Sequence, residues 1–208
     1  PKPSSAASDV YKRQVLGVSI FALLGNWLAV RFHSLRFVLG SGLLIAGIGL
    51  ILLGVIDYDA YWMMAWMLAI CAIGIGLATA PSTTAIMSNT PLENQGVGSA
   101  VNDTAREIGA AVGIALAGSL LAAGYAHRIG PTADLVRAEP AAADHITRSL
   151  AEAREVAALI PGDLGARVLH GAQDAFVVPM NQGCLVLGIV LVVGSAVTTI
   201  LAPRRVVA

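Results

Sequence analysis

Five apolar blocks, each near the length of a membrane-crossing helix, run through this 208-residue chain: 15–30, 37–56, 61–87, 97–125 and 176–202. A helix needs about 20 mostly apolar residues to cross roughly 30 Å of hydrocarbon. No water reaches a bare N–H or C=O there, so each block must be helix rather than open strand. The fold class expected is all-α, a polytopic membrane bundle of five transmembrane helices. Charged residues are 12% of the chain, half the roughly 25% of a soluble domain. The formal net charge is zero, so the basic footprint of a nucleic-acid binder is missing. Cys71 and Cys184 both lie within apolar blocks and read as small packing residues, not a disulfide framework.

Short connections make neighbouring spans antiparallel. Arg31, His33 and Arg36 lie in the first connection, Asp57 and Asp59 in the second, and Arg204 and Arg205 follow the last block. Five spans put all those arginines on one side, which the positive-inside rule makes cytoplasmic. The expected organisation is then four spans over 15–125, an extracytoplasmic loop over 126–175, a fifth span over 176–202 and a cytoplasmic tail over 203–208. Residues 1–14 are polar and aperiodic. They resemble a translated sequencing-adapter tail and are set aside from fold reasoning, in which case the gene extends upstream and the chain is a fragment. As a native loop, their Lys12 and Arg13 would fall on the wrong side.

The loop carries Ile146, Leu150, Ala153, Ala157 and Ile160 at helical spacing, with Asp144 and Arg148 one turn apart. Pro161-Gly162-Asp163 reads as a turn. One or two amphipathic helices are expected, either capping the bundle or serving a gating or partner role. Small residues recur in the spans: Gly40, Gly42, Gly47, Gly49 and Gly54, then Gly74 and Gly76, then the pair Gly109 and Gly113. Close backbone approach between membrane helices offsets their cost. Pro81, flanked by Thr79, Ser82, Thr83 and Thr84, predicts a kink that serves either as a hinge or as packing, with the hydroxyls compensating the freed carbonyl.

The most informative stretch begins with Thr90, Pro91 and Glu93, a capping-box pattern that starts a helix ahead of the membrane. Asn102, Asp103, Arg106 and Glu107 follow. Asp103 and Glu107 lie about 40° apart on a helix, with Arg106 about 60° to the other side of Asp103. An unpaired Asp near mid-bilayer costs roughly 2.5–3.5 kcal/mol. One carboxylate would be held by Arg106, leaving the second poised for a proton or a cationic substrate. Residues 108–126 are nearly long enough to span alone, so the same charges could instead form a salt-bridged start at the headgroup level.

The run Gly96-Val97-Gly98-Ser99-Ala100-Val101-Asn102-Asp103-Thr104-Ala105-Arg106-Glu107-Ile108-Gly109, followed by Gly113 and Gly118-Ser119, resembles the penultimate helix of the fourteen-span drug:proton antiporters of the major facilitator superfamily. Gly74, Gly76, Ala80-Pro81 and Ala85-Ile86-Met87 resemble the helix before it. The resemblance implies that the five blocks are the tenth to fourteenth spans of a bacterial inner-membrane protein, and that Asp103 and Glu107 match acidic positions used for cationic drugs or proton coupling. Gly25 and Leu28-Ala29-Val30-Arg31-Phe32-His33 resemble the superfamily's cytoplasmic turn motif, with Val30 where an Asp is usual and His33 where a Gly is usual.

The function implied is a fragment of a secondary carrier that exports hydrophobic or cationic compounds in exchange for protons by alternating access. Its partners are a small-molecule substrate, protons, the bilayer and the missing N-terminal part of the same transporter. No cofactor is implied. A carrier of a natural metabolite or siderophore shares the fold, and a non-transporting scaffold is the rival from another class. An enzyme is not expected: the chain has no His-Glu-x-x-His or P-loop pattern, and His33, His127, His145 and His170 are scattered outside the blocks.

Overall fold

The computed structural model describes Leu24, Trp27 and Arg31, all helical, together with residues 35–56 and 61–201. The block at 15–30 and the residues Asp57, Asp59, Arg204 and Arg205 lie outside the described residues, apart from Leu24 and Trp27. All regular structure described is helical. It comprises α1 (Leu35–Val55), α2 (Tyr61–Ser88), α3 (Gln95–Arg128), α4 (Gly130–Ala133), α5 (Pro140–Arg148), α6 (Leu150–Leu159) and α7 (Asp163–Leu201). Two 3-10 turns, Leu92–Asn94 and Asp134–Val136, complete it. Among the described residues four helices, α1, α2, α3 and α7, are long and apolar enough to cross a membrane. The architecture is an all-α, polytopic partial bundle.

α7 starts at Asp163, well before the apolar block at Phe176. The reason is local. Val168, Ala172 and Ala175 are buried at i, i+4 and i+7, so an amphipathic helix extends the apolar one without a break. At 1.5 Å per residue the 34 residues of α3 and the 39 of α7 reach about 51 Å and 58 Å. Both therefore exceed the roughly 30 Å of hydrocarbon.

The chain forms two compact units, 1–110 with 185–208, and 111–184. In the first unit α1 is sandwiched. One of its faces carries Gly42, Ala46 and Gly49, which meet Gly74, Ala78 and Cys71 of α2. A Cβ on Gly74 would overlap the Ala46 backbone nitrogen and lie 2.6 Å from the Gly42 oxygen. The opposite face, with Gly40 and Gly47, meets Thr199, Val192 and Gly188 of α7. There the buried Ser195 hydroxyl donates to the Gly40 carbonyl at 2.7 Å. Lipid is as apolar as these helices, so packing and such hydrogen bonds drive association in place of the hydrophobic effect. Alternation of glycine between two faces is what admits two neighbours at close range.

The second unit has a core of its own, centred on Ile129, Ile146, Ala153, Val168 and Ala172. α5 and α6 are separated only by Ser149, which is extended. Its hydroxyl accepts from the Glu152 N–H at 3.2 Å, and Nδ1 of His145 lies 2.7 Å from Oε2 of Glu152 across the break. Gly162, at φ +80°, makes the turn into α7 in the left-handed region that glycine tolerates. The buried Tyr125 hydroxyl, near the end of α3, donates to the Ile146 carbonyl at 2.9 Å. Tyr125→Phe strands that carbonyl, which costs about 1–3 kcal/mol. Hydrogen exchange of amides in 140–160 should rise accordingly, while exchange in α1 and α2 stays unchanged.

Candidate functional site

The polar cluster occupies the first turns of α3. The helix does not start with a capping box. The Thr90 hydroxyl donates back to the Ile86 carbonyl at 2.7 Å. Pro91 leads into the 3-10 turn without a side-chain cap, and the α-helix begins only at Gln95. Thr90 thus closes α2 instead of opening α3. The reason is the two-residue gap between Ser88 and Pro91, which leaves Thr90 within reach of the last turn of α2.

Within residues 95–110 the buried positions are Gly98 and Asn102, four apart. Gly98 fits because a Cβ there would lie 2.7 Å from the Thr90 hydroxyl. Asn102 is 7% exposed, and its amide nitrogen donates to Oδ1 of Asp103 at 3.3 Å. Asn102 therefore anchors the neighbouring carboxylate. Asp103, Arg106 and Glu107 are all exposed. From the helical pitch Arg106 lies about 40° and Glu107 about 140° around the axis from Asn102.

Arg106 makes no ion pair with either carboxylate among the described residues, so the expected clamp is open. Exposed pairs gain only about 0–1 kcal/mol, too little to hold two long side chains together when nothing desolvates them. The structure thus joins Asn102 with Asp103 and leaves Arg106 and Glu107 apart.

Gly42 meets Ala78, and Gly49 meets Cys71, which sets Arg36 level with about Thr84 of α2. Along α3, Glu107 lies about 6 Å beyond Asp103. The Arg36 guanidinium, 5.9 Å from the Phe37 ring centroid, folds over an aromatic face as a cation does at a membrane boundary.

Between the cluster and Gly118, α3 is largely exposed among the described residues. Only 6% of its most apolar stretch is buried, and a Cβ on Gly109, Gly113 or Gly118 would meet nothing within 4 Å. Gly109 and Gly113 are not packing contacts here, in contrast to Gly74, while Gly76 is buried. Pro81 is buried inside α2, which stays helical through it. The hydroxyls of Thr79, Ser82, Thr83 and Thr84 bond to the carbonyls of Ile75, Thr79 and Ala80. None reaches Leu77, whose carbonyl the proline frees. The compensation read from the sequence is therefore not the one made. Gly25 of the turn motif lies outside the described residues, and Arg31 is helical and exposed. Among the described residues no group of three or more His, Cys, Asp or Glu side chains is placed to hold a metal ion.

The sequence reading missed Asn102 as an anchor and Ser149 as a cap. The second had a signal, since Ser149-Leu150-Ala151-Glu152 has the spacing of a capping box. The first had none, because burial of one amide is decided by the neighbouring helix.

The family model of the Major Facilitator Superfamily matches residues 10–127. This chain belongs to the major facilitator superfamily. The methyl viologen resistance protein SmvA of Salmonella typhimurium is 30% identical over 145 residues, covering 69% of this chain and 29% of that protein. The multidrug efflux pump LfrA of Mycolicibacterium smegmatis is 33% identical over 104 residues, 50% of this chain and 20% of LfrA. A triacylglyceride transporter of the same organism is 33% identical over 132 residues, 54% of this chain and 22% of that protein. The major facilitator chain described here thus spans less than a third of these relatives. No solved structure matches it. Together with four helices of membrane length, the family makes this a multi-pass bacterial membrane protein.

Proposed function

We propose that this major facilitator chain is part of a proton-coupled exporter of hydrophobic or cationic compounds, and that Asp103 and Glu107 carry the proton or the cation. The observation behind the reading is the placement of two carboxylates at the start of a membrane-length helix, exposed and without an ion pair among the described residues. Ionisable groups on a membrane helix are costly and mark ion or substrate paths. The named relatives, one for methyl viologen resistance and one a multidrug efflux pump, support the substrate class. Arg106, one turn from Asn102, supplies a mobile counter-charge that can pair with a carboxylate once it is desolvated. The remaining spans of the exporter belong to the polypeptide that the longer relatives contain. No enzymatic step and no cofactor enters this mechanism.

The test is to neutralise Asp103 and Glu107 separately in the full-length transporter and measure proton-driven export. Unchanged export in both variants removes the proposal. A second reading, carriage of a natural apolar metabolite, draws on the triacylglyceride transporter among the relatives. Substrate-stimulated proton release across a compound panel separates the two.

A further inference from the structure

We infer that the unit formed by residues 111–184 carries a second binding site, a cleft for amphiphilic organic cations built from residues other than the α3 cluster. The cleft has a volume of about 470 Å³ and lies among the Asp134–Val136 turn, α5, α6 and the start of α7. Clefts of roughly 300–1,000 Å³ suit drug-sized molecules. Its wall is mostly apolar: Val136, 7% exposed, forms part of the lining, with Ala142, Val156 and Leu159 around it. Leu159 is 83% exposed, so an apolar ligand that covered it would remove bare hydrocarbon from water.

The charge on the wall selects the sign of the ligand. Glu139 and His145 are the ionisable residues lining the cleft. His145 is engaged by Glu152 at 2.7 Å. Neither Arg137, 3.8 Å from Asp134, nor Arg148, paired with Asp144, lines the cleft, and both pairs are exposed. Glu139 precedes the first turn of α5, yet its side chain makes no capping hydrogen bond and no ion pair among the described residues. Glu139 is an exposed carboxylate at the edge of an apolar hollow, and it complements a cationic centre carried on rings or alkyl chains. An anion of the same shape would meet repulsion there. The ligand class is shared with the proposed function, but the residues are not.

The experiment uses the 208-residue chain in lipid nanodiscs, with tetraphenylphosphonium as the probe and tetraphenylborate as the anion of matched shape. Binding is measured in a background carrying Asp103→Asn and Glu107→Gln, which silences the α3 carboxylates. Tetraphenylphosphonium should still bind there, and more tightly than tetraphenylborate. Ala142→Trp, which fills the hollow, and Leu159→Arg, which places a cation at its rim, should each weaken binding at least about tenfold. Glu139→Gln should weaken it about fivefold and remove the preference for the cation. Leu159 is so exposed that its replacement leaves the fold intact, so a silent Leu159→Arg together with a silent Glu139→Gln overturns the inference. Equal affinity for the two probes overturns it as well. Loss of all binding in the neutralised background overturns it while leaving the proposed function standing. Export that survives neutralisation, with loop variants that still lose the probe, removes the proposed function and leaves the cleft.

Discussion

Gly74→Leu should prevent α1 and α2 from packing, and the chain should lose its cooperative thermal transition. The groups in the way are backbone: a Cβ at position 74 overlaps the Ala46 nitrogen and approaches the Gly42 oxygen at 2.6 Å. Side chains can rotate away from an intruder, but a helix backbone can only translate. Overpacking a core costs about 1–3 kcal/mol when neighbours can adjust, so the upper end or more is expected here. Separation of the helices also breaks the Cys71 to Ala46 contact at 3.7 Å. Gly109→Leu is the matched control. A Cβ there meets nothing within 4 Å among the described residues, and leaving glycine gains up to about 1 kcal/mol of helix propensity. Its melting temperature in detergent should be equal or slightly higher. A Gly74→Leu protein that melts like the wild type would mean the seam is not a close contact.

Glu107→Gln in the full-length transporter should reduce proton-driven export by at least about tenfold, a change of about 1.4 kcal/mol in the transport barrier. Glutamine keeps the shape and hydrogen-bonding capacity of the protonated acid but cannot lose the proton. A carrier that depends on alternating protonation would therefore stall in one protonation state. Asp103→Asn tests the neighbouring position. Asp103 is held by Asn102 at 3.3 Å, whereas Glu107 lies about one turn further along α3. If only Glu107 exchanges protons, Asp103→Asn should chiefly weaken uptake of cationic substrates and leave neutral ones unaffected. Transport assays in proteoliposomes with an imposed pH gradient read both effects. Equal, undiminished export by both variants is the contrary result.

Much of the bundle was legible because lipid imposes a simple rule. Long apolar blocks must become helices, and the blocks at 37–56, 61–87, 97–125 and 176–202 each became part of one. The start of α7 at Asp163 was not visible to hydropathy, since Leu164 to Ala175 alternates buried and exposed residues at helical spacing. The break at Ser149 interrupts a periodic run that continues from Ile146 to Ile160, and its one signal was the capping-box spacing of Ser149 and Glu152. Glycines illustrate the same limit. Gly74 and Gly109 are alike as letters, yet one touches a neighbouring backbone and the other touches nothing. Thr90-Pro91-Leu92-Glu93 has the pattern of a capping box, but its hydroxyl was claimed by the preceding helix. That hydroxyl donates to the Ile86 carbonyl, and no side-chain cap forms at the start of the 3-10 turn.

By itself, the order of residues determined that this is a helical membrane protein, and that the polar cluster of α3 falls at Asn102, Asp103, Arg106 and Glu107. Those follow from the cost of bare peptide groups in hydrocarbon and from the helical repeat. Only the tertiary structure decided that the buried Asn102 bonds to Asp103, and that residues 135–164 line a cleft with Glu139 at its edge; among the described residues neither Arg106 nor Glu139 makes an ion pair. Burial and pairing depend on which surfaces meet, and helices far apart in sequence meet through side-chain fit that no single segment encodes.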